Sequence, residues 1–220
     1  MPEWDVNQVF KWLLSKKFCP PEEASFIRIE QKTFFLIMIG AGRRAHEICN
    51  LSLDFKRKGD KVLLQWPVSF RAKNHNMEHT PACPSIRKMS HFVKSRRELD
   101  NCPVANWEVF RKRRLERKKG NGNCLWERNQ AGMCAVLRIL VYESQRLANL
   151  NTEVEVRPHQ MKKLSISLCG KYWPRAKELN LERLTGNKSF STLERCYIKK
   201  APKLRFSLSF PLGTAPLKSN

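Results

Sequence analysis

The sequence predicts a mixed α+β domain that is predominantly helical and carries one small antiparallel β-hairpin or sheet. Several segments repeat apolar residues at helical spacing, whereas a single segment alternates apolar and polar residues. Of the 220 residues, 41% are apolar and 10% are aromatic, which is enough to build a buried core. This composition excludes a wholly disordered chain.

The helical pattern recurs in six segments. In the first, Trp4, Val9 and Leu13 fall on one face, and Pro20 and Pro21 separate it from a more apolar second segment. A Gly-Asn-Gly-Asn sequence at 120–123 predicts a loop between two later helices. The predicted helices lie near 4–17, 24–41, 104–119, 129–148, 159–172 and 188–200.

The alternating segment covers 61–70 and predicts a strand. Pro67 within it predicts an edge strand or a β-bulge, because proline cannot donate to a central ladder. Gly59 and its neighbours predict a turn back onto a shorter strand over 52–57, which makes a hairpin. Irregular structure is expected over 73–102 and a mobile tail over 202–220.

The charge of the chain is strongly positive. It carries 42 Lys and Arg against 20 Asp and Glu, a formal net charge of +22. The first thirty residues hold four basic and five acidic side chains, so the excess lies beyond them. A charge of this size predicts a polyanionic partner.

The densest basic run lies between 111 and 119, where seven of nine residues are Lys or Arg. Such a run can neutralise several phosphates of a nucleic acid. A solvated helix face or a nuclear-import signal accounts for it equally well, and import and DNA contact can coexist. The seven residues are Arg111, Lys112, Arg113, Arg114, Arg117, Lys118 and Lys119.

The sequence shows neither a membrane span nor a secretion signal. Its longest apolar stretch, 34–41, is about half of what a bilayer requires. The first five residues form neither a basic nor an apolar signal region, and the 8 cysteines lack Cys-x-x-Cys pairs. We therefore expect an intracellular protein with reduced thiols and no membrane partner, nuclear if the source is eukaryotic.

Three potential metal ligands, His75, His79 and Cys83, recur at four-residue spacing. Pro81 and Pro84 break any helix there, so the spacing does not place the ligands on one face. No paired cysteine motif completes a tetrahedral set. We expect no metal site and no cofactor.

Four other segments carry side chains suited to phosphate chemistry. Arg44 precedes Glu47 by one helical turn, so the carboxylate can orient the guanidinium. His159 and Lys162 also stand one turn apart, and Lys73 lies near the end of the predicted hairpin. Taken singly, each has an ordinary structural explanation, such as a surface ion pair.

The fourth segment is Gly-Asn-Lys-Ser-Phe-Ser-Thr at 186–192. Tyr197 follows it, ten residues after Asn187. The other two tyrosines, Tyr142 and Tyr172, have apolar or aromatic neighbours that indicate packing. Tyr197 is therefore the tyrosine best placed for chemistry.

In this order the segments resemble the catalytic domain of tyrosine recombinases, the phage-integrase family, and in particular the recombinases of DIRS-type retrotransposons and related mobile elements. The resemblance runs from about Trp4 to Lys200. KTFFLIMIGAGRRAHEICNLSL resembles the first arginine box, VRPHQMKKLSISL the His-x-x-Arg box and LTGNKSFSTLERCYIK the tyrosine box. WDVNQVFKWLL resembles the lead-in to the domain and NCPVANWEVFRKRR the connector after the hairpin.

The resemblance implies a domain that cuts and rejoins DNA in recombination or integration of a mobile element, without metal or nucleotide. Tyr197 would attack the scissile phosphate and give a 3′-phosphotyrosyl link and a free 5′-hydroxyl. His159 would act as the base toward the tyrosine hydroxyl, and Lys73 as the acid toward the leaving oxygen. Lys61 and Arg71 flank the same strand and remain alternatives to Lys73.

The resemblance also implies a set of phosphate ligands. Arg44 and Lys162 would hold the non-bridging oxygens, and Asn187 would donate a neutral hydrogen bond. Lys162 stands where the family has an arginine, and Asn187 where it has a His or Trp. A lysine keeps the charge but lacks the bidentate fork of a guanidinium. Arg43, next to Arg44, is expected to contact DNA.

The resemblance divides the chain into a lead-in over 1–22, a catalytic domain over 23–201 and a C-terminal tail over 202–220. The tail would be mobile or exchanged in trans within a synaptic tetramer on double-stranded DNA. About thirty residues precede the first arginine box, so the helical clamp domain of the family is expected to be missing from this sequence. The main alternative is a decayed or domesticated recombinase domain that binds DNA without cleaving it. A third is a basic structural or RNA-binding protein, although the sequence shows no stacking platform of clustered aromatics.

Overall fold

The computed structural model describes residues 4–71, 83–89, 99–117 and 123–172, with the side chains of the last helix described as far as Ile166. Helices cover about half of these residues, and three short strands form one antiparallel sheet. The mixed α+β class is therefore confirmed. The elements are α1 (Val6–Leu13), α2 (Phe26–Ala41), α3 (Ala45–Cys49), β1 (Phe55–Lys58), β2 (Lys61–Leu64), β3 (Ser85–Arg87), α4 (Pro103–Glu116), α5 (Gln130–Leu147) and α6 (Pro158–Tyr172).

Five of the six predicted helices are confirmed, with ends that differ by a few residues. The first ends at Leu13, before the predicted 17. α4 begins at Pro103, where proline suits the first helical position because the missing N–H would have no partner there. The predicted helix over 188–200 and the predicted tail over 202–220 lie outside the described residues.

The apolar helix α2 forms the centre of the fold. Ser25 caps it, since its hydroxyl accepts a hydrogen bond from the backbone N–H of Arg28 at 3.4 Å. Its residues are buried continuously from Ile29 to Ala41, which requires partners on every side. Those partners are α3, α4, α5, α6 and β3.

The first helix, α1, packs against α5 and adds to the same core. Asp5 caps it by accepting from the backbone N–H of Asn7 at 2.8 Å. Val9 and Leu13 are fully buried, and Trp4 Nε1 donates to Gln160 Oε1 at 3.3 Å. This indole contact links the start of the described chain to α6.

The sheet has the order β1-β2-β3, with both pairs antiparallel. Gly59 makes the turn between β1 and β2 with φ of 58°, a conformation that strains other residues, so the predicted hairpin is confirmed. Val62, Leu64 and Ile86 are fully buried on the core face. Gly40 of α2 lies beneath this face, because a Cβ built on it would come 3.6 Å from Cγ2 of Ile86.

Three predictions for the sheet region are wrong. β2 ends at Leu64 rather than continuing to residue 70, because Trp66 leaves the ladder and its indole donates to the carbonyl of Glu47 in α3. β2 is the central strand, so Pro67 lies beyond it and marks no edge strand. β3 falls within the segment 73–102 that was expected to be irregular, and it contributes the buried Ile86 to the core.

No helix of the described ranges is both long enough and apolar enough to cross a membrane.

Candidate functional site

The turn between α2 and α3 places two arginines side by side. α2 ends at Ala41, and Gly42 adopts the left-handed conformation with φ of 62° and ψ of 25°. A residue with a side chain is strained there, so glycine is the residue that can end the helix at this point. The chain continues through Arg43 and Arg44, and α3 begins at Ala45.

Arg44 is held by Glu47, as the spacing of the two residues predicts. The backbone N–H of Arg44 donates to Glu47 Oε2 at 3.0 Å, and Arg44 Nη1 lies 3.5 Å from Glu47 Oε1. The side chain of Glu47 is 2% exposed, whereas that of Arg44 is 33% exposed. The buried carboxylate therefore supports an arginine that stays partly accessible to a ligand.

Arg43 lies in the interior. It is fully buried, and its guanidinium carbon stands 5.7 Å from the centre of the Trp66 ring. Burial lowers the pKa of this guanidinium, and the charge of Glu47 acts in the opposite direction. Arg43, predicted to contact DNA, thus contributes positive charge from inside the protein.

Lys162 of α6 joins the same cluster. It is 4% exposed, and its Nζ has no hydrogen-bond partner among the described residues. Burial, and after it the charge of Arg44, lowers the pKa of the ammonium to about 7; Arg43 adds to this effect and Glu47 opposes it. The helix of Lys162 contacts α3, which begins directly after Arg44, so the two cations act on each other although they are far apart in the chain.

The position of Lys162 is fixed by the packing of α6, which contacts both α2 and α3. Ser165, one helical turn further along, donates its hydroxyl to the backbone carbonyl of Ile39 in α2. Met161 and Leu164 are fully buried beside it. The lysine stem therefore enters the core with the helix, which explains why its amine is withdrawn from water.

His159 occupies a different environment on the first turn of α6. It is exposed, although Lys162 three residues later is buried. Burial, followed by the charges of Lys163 and Arg157, lowers the pKa of the imidazole, while Glu155 opposes the change. The neutral ring is therefore favoured at pH 7, as a proton acceptor requires.

Two tryptophans hold the short helix α3 and were not singled out by the sequence patterns. Trp66 Nε1 donates to the carbonyl of Glu47 at 2.7 Å, and Trp126 Nε1 donates to the carbonyl of Ile48 at 2.7 Å. The carbonyls at the end of a helix of 5 residues have no partner within the helix, so these donors fix its end; Ile48 also accepts from the backbone N–H of Leu51 at 3.2 Å. Trp66 fits the alternating pattern of a strand, so only the neighbouring Pro67 indicates that it leaves the sheet.

The basic run 111–119 is used largely for internal contacts within the described part of the chain. Arg111 Nε donates to the carbonyl of Leu53 at 3.1 Å, and its guanidinium carbon lies 4.8 Å from the centre of the Phe55 ring. The same group stands 5.9 Å from the centre of the Trp107 ring. Arg111 thereby ties the start of the hairpin to α4.

Three further arginines of the run also have protein partners. Arg113 donates to the carbonyl of Ala24. Arg114 is 3% exposed, and its Nη1 lies 3.9 Å from Glu127 Oε1. Arg117 Nε lies 3.2 Å from the same carboxylate oxygen. These arginines join α4 to the segments around it, so they are not free surface charges.

Lys112 is the exposed residue of this run that forms no ion pair among the described residues. Lys118 and Lys119 lie outside those residues. The predicted catalytic residues that also lie outside are Lys73, Asn187 and Tyr197.

No group of three His, Cys, Asp or Glu side chains in the described ranges could hold a metal ion. His75 and His79, the potential ligands in the sequence, fall outside those ranges, and Cys83 is exposed. The cluster around Arg44 offers donors of hydrogen bonds rather than metal ligands, since a guanidinium and an ammonium have no lone pair to give in their charged forms.

Comparison of the chain with protein-family models, with curated proteins and with solved structures finds no match. The charges of Arg43, Arg44 and Glu47 all act on Lys162, so one carboxylate stands against three basic side chains and the cluster has a net positive charge. A partly accessible cluster of this kind suits an oxyanion such as a phosphate.

Proposed function

We propose that this chain is a DNA-cleaving and rejoining domain of the tyrosine recombinase type, with an integrase-like core. The observation that supports this proposal most is that the helix of Lys162 packs against α3, where Glu47 holds Arg44, so that the charges of Arg44 and Glu47 act on the lysine. The resemblance in the sequence assigns the same arginine and lysine to one phosphate. Because that assignment uses the sequence alone, it is independent of the packing of the two helices.

The cluster supplies what the transition state of phosphoryl transfer requires. Negative charge develops on the non-bridging oxygens, and fixed cations stabilise it without reorganisation. Arg44 is fixed by Glu47, and Lys162 by the packing of α6 against α2. Arg43 adds a buried positive charge.

The covalent step is balanced by two proton transfers. The phenolic oxygen of Tyr197 forms a bond to phosphorus as the bond from phosphorus to the 5′-oxygen breaks. His159 takes the phenolic proton, and Lys73 gives a proton to the leaving 5′-oxygen. Rejoining runs the same steps in reverse, since the phosphotyrosine keeps the energy of the broken bond.

A covalent trapping experiment tests the proposal. The protein is incubated with a duplex that carries a nick close to the cleavage point, so that a short fragment is lost after cleavage and rejoining is blocked. We expect a protein–DNA adduct that survives denaturing electrophoresis. Because the target site is unknown, the duplexes are drawn from a random-sequence library, and trapped molecules are sequenced.

Two variants give the test its specificity. Tyr197→Phe removes the nucleophilic oxygen and nothing else, so no adduct should form while DNA affinity stays close to that of the wild type. Arg44→Ala should lower adduct formation far more than DNA affinity, because it removes charge stabilisation in the transition state. An adduct formed by Tyr197→Phe would contradict the assignment of the nucleophile.

A second candidate function is DNA binding without cleavage. It is favoured by Lys162, whose ammonium has a pKa of about 7 and is therefore only partly charged at neutral pH. An arginine at this position would stay charged and would bind two phosphate oxygens. Tight duplex binding with no adduct from any library member would select this second function.

A further inference from the structure

The outer face of the sheet, formed by the hairpin β1-β2 together with β3, carries a row of cations that crosses all three strands. Lys58 pairs with Lys61 across β1 and β2, and Lys61 pairs with Arg87 across β2 and β3. Residues directly opposite each other in antiparallel strands point to the same face, with Cβ atoms about 5 Å apart. The three cations therefore form one line perpendicular to the strands.

This line lies on the side of the sheet that faces away from the core. The neighbouring register position, Arg57 with Val62 and Ile86, points to the opposite face, where Val62 and Ile86 are fully buried. Successive residues of a strand alternate between faces. Lys56, two residues before Lys58, therefore extends the outer row along β1.

The row is only partly neutralised within the protein. Arg87 Nε lies 2.9 Å from Asp60 Oδ2, so this carboxylate is matched by one arginine. Lys56, Lys58 and Lys61 form no ion pair with a carboxylate of the described residues. Like charges directly opposite each other destabilise a sheet, so the pairing of Lys58 with Lys61 has a cost in the free protein.

The titration of Lys61 is consistent with this crowding. Burial lowers the pKa of its ammonium first, and the charges of Arg87 and Lys58 lower it further, while Asp60 acts against them. Lys58 and Lys56 at the outer edge are exposed. Solvent exposure therefore increases along the row, from the buried Arg87 of β3 to the exposed Lys56 and Lys58 of the edge strand β1.

We infer that this outer face of the hairpin binds the phosphate backbone of duplex DNA outside the candidate active site. The inference rests on the proposed function, and it adds a second contact to the same DNA. A bound polyanion would offset the repulsion between Lys58 and Lys61, so the pairing that destabilises the free protein would favour DNA binding. Lys56 and Lys58 lie about 6.6 Å apart along β1. Phosphates of one DNA strand follow each other at about 3.4 Å along the helix axis, so this separation corresponds to about two phosphate steps.

The position of the row makes it a separate contact. β2 runs from Lys61 to Leu64, and shortly after it Trp66 hydrogen-bonds to Glu47 in the candidate site. The row, including Lys61, thus lies about 10 Å along the strand from the end nearest the site. Lys61 therefore belongs to the row in this inference, and Lys73 remains the acid of the proposed reaction. Leu63 is the one apolar residue on the outer face of the described strands and is half-buried, so the face lacks an exposed apolar side chain that would insert into a bilayer.

The test compares two double variants of the full chain that lose the same charge. Lys58→Gln with Lys61→Gln removes the cross-strand pair, and Lys16→Gln with Lys17→Gln removes two exposed lysines on the loop after α1. Affinity for a labelled duplex of arbitrary sequence is measured by fluorescence anisotropy over a series of KCl concentrations. The melting temperature of each variant is measured in the same buffers.

We expect the hairpin variant to bind DNA several-fold more weakly, with a slope of log affinity against log salt that is shallower by about 0.9 for each phosphate that the variant no longer neutralises. Its melting temperature should stay equal to that of the wild type or rise, because a like-charge pair has been removed. The loop variant should keep a slope close to that of the wild type. Weaker binding together with undiminished stability is a result that simple misfolding does not produce.

Three results would overturn the inference. The first is an unchanged salt slope in the hairpin variant, and the second is an equal decrease in affinity in the loop variant, which would reflect net charge alone. The third is a hairpin variant that binds phosphatidylserine vesicles more weakly than the wild type but binds DNA equally well, which would make the row a membrane contact. Failure of the proposed function gives a different result, namely wild-type protein that binds DNA but forms no covalent adduct. The salt dependence of DNA binding by the hairpin variant still tests the row in that case.

Discussion

The buried amine of Lys162 lies in the electrostatic field of Arg44, whose guanidinium is held by a carboxylate and remains partly accessible. The two cations repel each other in the free protein, and a phosphate bound between them would reverse that effect. Under the proposed function the charge state of Lys162 would therefore be coupled to phosphate binding, because the anion favours the protonated amine.

The first prediction concerns the pH dependence of DNA affinity. Below its pKa of about 7, Lys162 is charged and attracts phosphate, whereas above it the amine becomes neutral. DNA affinity at constant ionic strength should therefore fall as pH rises through 7, and binding near that pH should take up protons. Titration calorimetry in buffers of different ionisation enthalpy measures the uptake. Lys162→Arg should remove the step, since arginine stays charged, and a step that persists in this variant would belong to another group.

The second prediction concerns Glu47 as the acid that opposes the cations of the cluster. Glu47→Gln keeps an oxygen that can accept from the backbone N–H of Arg44 but removes the negative charge that raises the pKa of Lys162. The midpoint of the pH-dependent step should move to lower pH, and adduct formation should decrease because Arg44 loses its charged support. Glu116→Gln, at an exposed position of α4, serves as the control. A midpoint that does not move in Glu47→Gln would place Glu47 outside the electrostatics of Lys162.

The third prediction concerns Lys32, which is fully buried in α2 and joins it to the end of α1. Its Nζ donates to the carbonyl of Leu13 at 2.9 Å and to the carbonyl of Phe18 at 3.4 Å. Lys32→Met should lower the free energy of unfolding by about 2 kcal/mol, because both buried carbonyls lose a donor. Urea unfolding of this variant beside Lys16→Met, at an exposed position, measures the difference. Equal stabilities would show that water replaces the lysine at no cost.

Helical elements could be predicted because their signals are local. The apolar run of α2 and the Arg44–Glu47 spacing depend on neighbours within one or two turns, and both have the structural consequence that the spacing indicates. The end of β2 depends instead on Trp66 finding the carbonyl of Glu47, a contact that no periodicity encodes. The alternation of residues therefore predicted too long a strand.

The burial of charged residues could not be predicted for a similar reason. Arg43 and Arg44 are adjacent and identical in type, yet one is fully buried and the other is partly exposed. The difference comes from the turn at Gly42 and from the ring of Trp66, which reaches this point from another part of the chain. A run of basic residues therefore predicts charge density but does not show which members face solvent.

The fourth prediction separates structural from surface cations in the basic run. Arg114 is buried against Glu127, so Arg114→Ala should lower the free energy of unfolding by about 1–3 kcal/mol through the loss of a buried charge partner. Lys112→Ala at an exposed position should leave stability within about 0.5 kcal/mol and should make the salt dependence of DNA binding shallower. Chemical unfolding and salt titrations of both variants check this division. The division would be wrong if Arg114→Ala changed the salt dependence of DNA binding and left the free energy of unfolding unchanged.

The fifth prediction concerns the stability contributed by a buried acid. Glu30 is 1% exposed; burial raises the pKa of its carboxyl, and Arg128, with Nε 3.5 Å from Oε2, only partly opposes this. The folded protein therefore keeps the proton to a higher pH than the unfolded chain does, so ionisation of Glu30 reduces stability as pH rises above the ordinary glutamate value of about 4.3. Glu30→Gln has no such penalty, and its free energy of unfolding relative to the wild type should increase from pH 4 to pH 7 in urea titrations. The exposed Glu116→Gln should show no such trend, and a difference for Glu30→Gln that is flat or falls with pH would mean that Arg128 compensates the buried charge completely.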